Sequence, residues 1–151
     1  MVLRAFAEQG SLALVIMGNW GSSEYGRSLR EKYSSFGNIH MFDRICELGK
    51  LKTLRNQAAL YVHGHCAGGT NPSLVEAMHF GRPVLAFDCG FNLSTTESKA
   101  YYFKTRADLR QLLESMDHAE SEAVGGTMLD IARRRYTWKI GAQRYFSLLG
   151  G

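Results

Sequence analysis

The sequence predicts an α/β fold built on a doubly wound, parallel sheet. Short apolar runs alternate along the chain with amphipathic segments, and the runs are almost continuous in apolar residues. Runs of this kind are typical of strands buried on both faces, as in parallel sheets. The length of 151 residues and the hydrophobic content of 45% suit one globular domain. Strands alternating with helices imply right-handed βαβ units.

The apolar runs and helical stripes give the predicted elements in order. The predicted strands are Leu12–Met17, Ile39–Phe42, Leu60–His63, Pro83–Phe87 and Tyr101–Phe103. The predicted helices are Met1–Gln9, Tyr25–Phe36 closed by Gly37, Leu48–Ala58, Pro72–Phe80, Thr105–Met116, Ser121–Arg135 and Trp138–Leu149. Asp108 lies in a capping-box position relative to Thr105. Such sheets bind ligands at the carboxyl ends of their strands, so the loops after the strands are the candidate sites.

Composition excludes several classes of protein. No apolar run approaches the ~20 residues that a membrane-spanning helix needs, and the first ten residues do not form a secretory signal. Cys46, Cys66 and Cys89 are odd in number and widely spaced, which argues against a disulfide framework and fits a reducing cytoplasm. The net charge of +4 is compatible with anionic nucleotides, nucleic acid or an acidic membrane surface and selects none of them.

The segment Tyr61–Met78 is the most informative part of the sequence, because it forms a strand, a glycine-bearing loop and a helix start. Gly68 and Gly69 allow positive φ and a close approach of the backbone to a ligand. Asn71 is a good N-cap, and Pro72 fits the first helical position.

This helix start is a candidate anion site. The N–H groups of Ser73 and Leu74 are expected to point freely out of the helix end, where the helix dipole favours a phosphate. Glu76, one turn further, could bind ribose hydroxyls, although a solvated helix carboxylate is the alternative. Many strand–glycine–helix turns bind nothing, and this one is neither a dinucleotide fingerprint nor a P-loop.

Other polar residues allow several readings. His63 and His65 alternate on a strand and could face one ligand, but no third metal ligand is near; hydrogen bonding of His65 to a phosphate or sugar and a structural role are the alternatives. Asp43 and Asp88 follow strands and could bind a substrate hydroxyl, but capping of a turn is favoured. The run Arg133–Arg135 is expected to be a solvated helix face, with acidic lipid headgroups as the alternative partner. No nucleophile–base arrangement is found.

At these residues the sequence resembles a known family. The segment Gly68–Val84 reads Gly-Gly-Thr-Asn-Pro-Ser-Leu-Val-Glu-Ala-Met-x-x-Gly-x-Pro-Val and resembles the donor-site loop and helix of retaining glycosyltransferases of family four, which have the GT-B fold. It is most similar to the rhamnosyltransferase-like branch that builds bacterial capsule and exopolysaccharide. Supporting segments are Leu14–Trp20, Asn38–His40 with Asp43, Tyr61–His65 and Arg135–Trp138.

The resemblance implies roles for individual residues. It places the donor diphosphate on the backbone of Gly69–Leu74, which includes Thr70, Asn71 and Ser73, and the nucleobase beside Arg44 and Ile45. Glu76 matches the second acid of the Glu-x7-Glu pattern, which holds the ribose. The first acid falls on Gly68, so recognition of the sugar is expected to differ here.

The resemblance implies a Rossmann-like C-terminal half of a GT-B enzyme, here as one partial donor-binding domain (1–151). The resemblance also implies that the complete enzyme transfers a hexosyl unit, with rhamnose favoured, from a nucleotide diphosphate sugar to a lipid-linked glycan without metal or other cofactor. We expect a cytoplasmic chain, able to contact the inner membrane face peripherally, without nucleic acid as a partner. The family's opening strand and its N-terminal acceptor domain are expected to be missing, so the chain alone is expected to be inactive, as a fragment or truncation. A sugar-nucleotide epimerase of the same fold and a non-catalytic nucleotide-binding remnant are the alternatives.

Overall fold

A computed structural model describes residues 1–149 of the chain. The described chain is an alternation of helices with short strands. In order, its elements are α1 Val2–Gln9, β1 Leu14–Gly18, a 3-10 turn Trp20–Ser22, α2 Glu24–Tyr33, β2 Ile39–Asp43, α3 Leu48–Gln57, β3 Tyr61–His63, α4 Pro72–Met78, β4 Val84–Phe87, α5 Gly90–Thr95, β5 Tyr101–Phe103, α6 Arg106–Ser115, α7 His118–Arg135 and α8 Trp138–Leu149. These elements divide between two compact units. The first unit comprises Met1–Gln57 and Thr105–Glu114, and the second comprises Ala58–Lys104 and the chain from Ser115 onward.

In the first unit, β1 and β2 form a parallel pair that runs from Leu14 opposite Ile39 to Gly18 opposite Asp43. Trp20 is buried, and its indole Nε1 donates a hydrogen bond of 2.7 Å to the carbonyl of Phe42 at the end of β2. This bond satisfies the one polar atom of a large apolar side chain. The carboxyl ends of β1 and β2 are therefore fixed to each other by the tryptophan as well as by the ladder.

The helix α1 packs through an apolar stripe in which Leu3, Ala5 and Phe6 are buried. It ends at Gly10, which has a φ of 74° and donates its N–H to the carbonyl of Phe6. Glycine adopts this left-handed conformation without the steric penalty that a side chain would bring. The turn leads the chain directly from α1 into β1.

The second unit contains a three-stranded parallel sheet of order β3-β4-β5. One face of this sheet packs against α4 and α7 in a core with little or no exposed side-chain area. That core consists of Leu74, Met78, Val84, Ala86, Met128, Ile131 and Ala132. Burial of these apolar side chains is the main favourable term for the unit.

Two glycines allow α7 to approach the turn that follows α4. A Cβ added to Gly125 would lie 3.1 Å from the carbonyl carbon of Gly81 and closer still to its oxygen, well inside van der Waals contact. Gly81 has a φ of 63°, so the turn itself also favours glycine. The backbones of the turn and of α7 are therefore in direct contact.

An ion-pair cluster joins α5 to the end of α7. Arg134 and Arg135 contact the Glu97 carboxylate at 2.7 Å and 3.2 Å, and Arg135 also donates to the carbonyl of Ser94. The hydrogen bond from Arg134 lowers the pKa of Glu97, with a smaller contribution from Arg135. Arg133 and Arg134 are exposed, as expected of a solvated helix face, whereas Arg135 is half-buried. The sequence does not show that Glu97 lies opposite Arg134 and Arg135.

The parallel α/β fold class predicted from the sequence is confirmed, and all five predicted strands are found within two residues of their predicted ends. Gly37 does not close α2, which ends at Tyr33 followed by Ser34 in a right-handed conformation. The predicted helix Pro72–Phe80 ends at Met78, and α5 was not predicted. Among the described residues, no helix is long and apolar enough to cross a membrane.

The final helix α8 has the predicted bounds and little covering on its aromatic side chains. Trp138 is 94% exposed, Phe146 67% and Tyr145 63%. These three side chains are therefore largely uncovered in the described chain.

Candidate functional site

The loop between β3 and α4 is the candidate site, and the structure describes all of it. Residues 64–68 and Thr70 are exposed, and Gly69 is half-buried. Gly68 and Gly69 have φ values of 88° and 76°, which confirms the prediction that both take positive φ. A Cβ on either glycine would meet nothing within 4 Å, so conformation and not crowding favours glycine here. The two residues turn the backbone sharply at the surface, beyond the carboxyl end of β3.

Asn71 caps α4 as predicted, and Pro72 occupies the first turn. The Asn71 side-chain oxygen accepts hydrogen bonds from the Ser73 N–H at 3.0 Å and the Ser73 hydroxyl at 2.6 Å. The Leu74 N–H donates to the Asn71 carbonyl at 3.1 Å. The expectation that the N–H groups of Ser73 and Leu74 point freely out of the helix is therefore wrong, because the cap itself consumes both.

The unengaged amides lie instead in the loop before the cap. In the stretch 66–70, which is fully described, no backbone N–H donates a hydrogen bond. Exposed amides in a glycine-containing turn are ready donors for an anion. No acidic side chain occurs between His63 and Glu76 to repel one. The backbone N–H groups that donate no hydrogen bond thus lie at 66–70, before the helix start at Ser73 and Leu74.

The two other α4 residues of the predicted site differ in exposure. Leu74 is fully buried in the core, so only its backbone could belong to a binding site. Glu76 is exposed on α4, one turn after the cap at Asn71. It does take part in an interaction within the protein, so a ligand would have to compete with that contact.

The two histidines before the loop have opposite environments. His65 is exposed, whereas His63 is only 4% exposed and its Nε2 has no hydrogen-bond partner among the described residues. Burial, assisted by the nearby His65 imidazole, lowers the pKa of His63 from 6.5 to about 4. His63 is therefore neutral at physiological pH. Their ring centroids are 6.3 Å apart, and no group of three or more His, Cys, Asp or Glu side chains in the described chain is arranged to hold a metal ion.

A residue that sequence reasoning missed holds the start of the loop. Asn92, on α5, is 2% exposed, and its side-chain amide donates to the carbonyls of His65 at 2.9 Å and Phe87 at 2.8 Å. From the sequence alone, an asparagine near the start of a helix is interpreted as an ordinary N-cap. Nothing local in the sequence shows that its amide reaches the end of another strand.

The remaining predicted residues lie elsewhere in the chain. Arg44 is exposed and Ile45 half-buried, and both follow β2 in the first unit. Asp43 and Asp88 were expected to cap turns; instead Asp43 pairs with Arg30 at 2.9 Å and Asp88 with Lys104 at 3.3 Å. Cys46, Cys66 and Cys89 are all free thiols, consistent with the absence of a disulfide framework.

No protein-family model matches the chain, and no curated protein is significantly similar to it in sequence. Its fold, however, is similar to that of solved glycosyltransferases. HepE of Anabaena in complex with UDP-glucose superposes with a TM-score of 0.80 at 18% identity, over 99% of this chain and 44% of that chain. A trehalose-6-phosphate synthase studied for glycosyl transfer with retention gives a TM-score of 0.68 at 12% identity, over 88% of this chain and 38% of that chain.

AviGT4, a glycosyltransferase involved in avilamycin A biosynthesis, gives a TM-score of 0.55 at 20% identity, over 86% of this chain and 42% of that chain. The chain thus spans less than half the length of each of these proteins. At these identities the similarity concerns the fold. The chain has the α/β fold of the C-terminal half of GT-B glycosyltransferases.

Proposed function

We propose that this chain is the donor-binding part of a retaining glycosyltransferase and that the loop 64–71 binds the diphosphate of a nucleotide sugar. The observation that supports this most is the run of backbone N–H groups at 66–70, beyond the end of β3, that donate no hydrogen bond within the described chain. It occurs on a fold whose solved neighbours include HepE complexes with UDP and with UDP-glucose. Ligands of parallel α/β sheets bind beyond the carboxyl ends of the strands, which is where this loop lies.

The chemistry of transfer suits such a loop. Departure of a nucleotide diphosphate from the sugar leaves negative charge on the phosphate oxygens, and fixed N–H donors stabilise that charge. The Gly68–Gly69 turn lets the backbone approach a phosphate without a side chain between them. In the proposal, His65 adds a hydrogen bond to the phosphate or the sugar, Glu76 binds the ribose, and Arg44 and Ile45 line the nucleobase.

The finer parts of the proposal rest on the resemblance of the segment Gly68–Val84. They are a hexosyl donor, with rhamnose favoured, a lipid-linked glycan as acceptor, and action at the cytoplasmic face of the membrane. The absence of an acid at Gly68 leaves sugar recognition to other groups of the loop. The acceptor would be bound by a part of the protein other than the donor loop.

Replacement of Glu76 tests the ribose contact. A charge-assisted hydrogen bond contributes about 1.5–3 kcal/mol, so Glu76→Ala should weaken UDP or thymidine diphosphate binding roughly ten- to a hundredfold. Calorimetric titration measures the change, and Glu122→Ala, which removes another exposed helix carboxylate, is the matched control. Equal affinities of the Glu76 variant and the unmodified protein would remove Glu76 from the site.

We further propose that transfer needs no metal ion, because the donor groups are amides and no suitable acidic pair lies in the loop. Treatment of the complete enzyme with a chelator should leave its rate of transfer unchanged. Activity that is lost with the chelator and restored by manganese would contradict this. A calcium-dependent enzyme assayed in parallel shows that the chelator is effective.

A further inference from the structure

Asn92 joins two strand ends through one buried side chain. Its Nδ2 uses both N–H bonds, one to the carbonyl of His65 and one to the carbonyl of Phe87. The last residues paired between β3 and β4 are His63 and Ala86, so both acceptors lie beyond the end of the ladder. The amide therefore acts as an additional rung, made by a side chain, at the edge where the candidate loop begins.

The loop that follows begins at this rung. The stretch 66–70 makes no backbone hydrogen bond of its own as a donor, and the next fixed point along the chain is the cap at Asn71. The exposed amides thus lie on a segment held at its two ends. Of those ends, the one at His65 is held by Asn92, and the His65 imidazole projects from the same residue.

We propose that Asn92 is a positioning residue for the donor diphosphate: by holding the carbonyl of His65 it fixes the direction in which the amides of 66–70 face. This inference rests on the proposed function of the loop. Asparagine suits the role because its neutral amide supplies two donors, whereas an aspartate would offer only acceptors to two carbonyls. Asn92 need not touch the donor, since it is buried and acts through the backbone.

The test compares the affinities of the full chain for UDP and UMP, measured by calorimetry. Asn92→Leu keeps the approximate size of the side chain and removes both donors. The UDP-to-UMP affinity ratio should then fall about tenfold, because UDP brings two phosphates to the amides of 66–70 whereas UMP brings only one. Asn92→Ser cannot overfill the site and retains one donor, so the UDP-to-UMP affinity ratio should fall less. It replaces the leucine variant in the test if that variant does not fold.

Thr95→Val is the matched control. Thr95 lies on the same helix, is also 2% exposed, and its hydroxyl donates within α5 to the carbonyl of Phe91. Its replacement should lower the melting temperature but leave the UDP-to-UMP ratio unchanged. An unmodified chain that binds neither nucleotide overturns the proposed function and this inference with it. If the unmodified chain binds UDP and the folded Asn92 variants keep its UDP-to-UMP affinity ratio, the inference alone is overturned.

Discussion

His63 shows how one buried side chain couples stability to pH. Because burial lowers its pKa to about 4, the folded chain binds fewer protons at this residue than the unfolded chain does between that pH and 6.5. The contribution of neutral His63 to stability is therefore fully present above pH 6.5 and decreases as the pH falls towards 4. A pKa difference of this size corresponds to about 3 kcal/mol.

We expect the free energy of unfolding to fall between about pH 7 and about pH 4, and His63→Leu to remove much of that fall. Urea titrations at a series of pH values measure the free energy of unfolding of both proteins. His118→Gln, which removes an exposed histidine of α7, is the control. An unchanged pH profile in the His63 variant would show that its imidazole is solvated in the folded chain.

At the residue scale, the sequence predicts local chemistry well and distant partners poorly. The positive φ of Gly68 and Gly69 and the cap at Asn71 follow from residue type and spacing, and both are observed. The N–H groups of Ser73 and Leu74 were misjudged because a cap satisfies the very donors that a bare helix end would offer. Asn92 could not be found, because its partner His65 is 27 residues away along the chain.

At the element scale, the contact between α7 and the turn after α4 depends on the absence of a side chain at Gly125. The neighbouring Gly126 faces open space, with nothing within 4 Å of an added Cβ. Gly125→Ala should therefore push two backbones apart and lower the free energy of unfolding by about 2 kcal/mol or more. Gly126→Ala should stabilise it by up to about 1 kcal/mol, because alanine favours a helix over glycine.

Thermal or chemical unfolding of the two variants measures the difference between adjacent positions on one helix. The two substitutions raise helix propensity equally. Changes of opposite sign in the free energy of unfolding would therefore separate the effect of packing from that of propensity. Similar stabilities of the two variants would mean that α7 can move away from the turn at little cost.

The apolar run of β5 and the apolar period of α8 were predicted with accurate bounds. The capping box at Thr105 is also observed, with Thr105 and Asp108 exchanging side-chain hydrogen bonds. The helix α5 was missed because its six residues are too few to show a period. Beyond the early end of α4, Gly81 takes a φ of 63° and lies against Gly125 of α7, a contact that periodicity does not show.

At the scale of the whole molecule, the described strands leave unpaired edges. Within residues 1–149, β1 pairs only with β2, and β3 pairs only with β4. Open strand edges offer free N–H and C=O groups to other chains. The exposed aromatic side chains of α8 add apolar surface in the same molecule.

We therefore expect the 151-residue chain alone to be marginally stable or to self-associate. It should melt below about 60 °C, the upper part of the ordinary range for mesophilic domains. Scanning calorimetry and size-exclusion chromatography measure the two properties. A chain in which Trp138, Tyr145 and Phe146 are replaced by serine keeps the strand edges and isolates the contribution of α8.

A cooperative transition well above that temperature in a monomeric chain would contradict this expectation. Association that persists in the serine variant would assign it to the strand edges. The division of the chain into two compact units was not predicted, because periodicity reports single elements and not which of them pack together.

The placement of the two tryptophans gives the chain two optical reporters that need no label. Trp20, in the first unit, is 8% exposed, whereas Trp138, in the second, is 94% exposed. The fluorescence of Trp20 should be blue-shifted and shielded from iodide, and that of Trp138 red-shifted and readily quenched. Trp138→Phe leaves a signal that follows unfolding of the first unit. Trp20→Phe leaves one that shifts to shorter wavelength when a vesicle, a second copy or another protein covers α8.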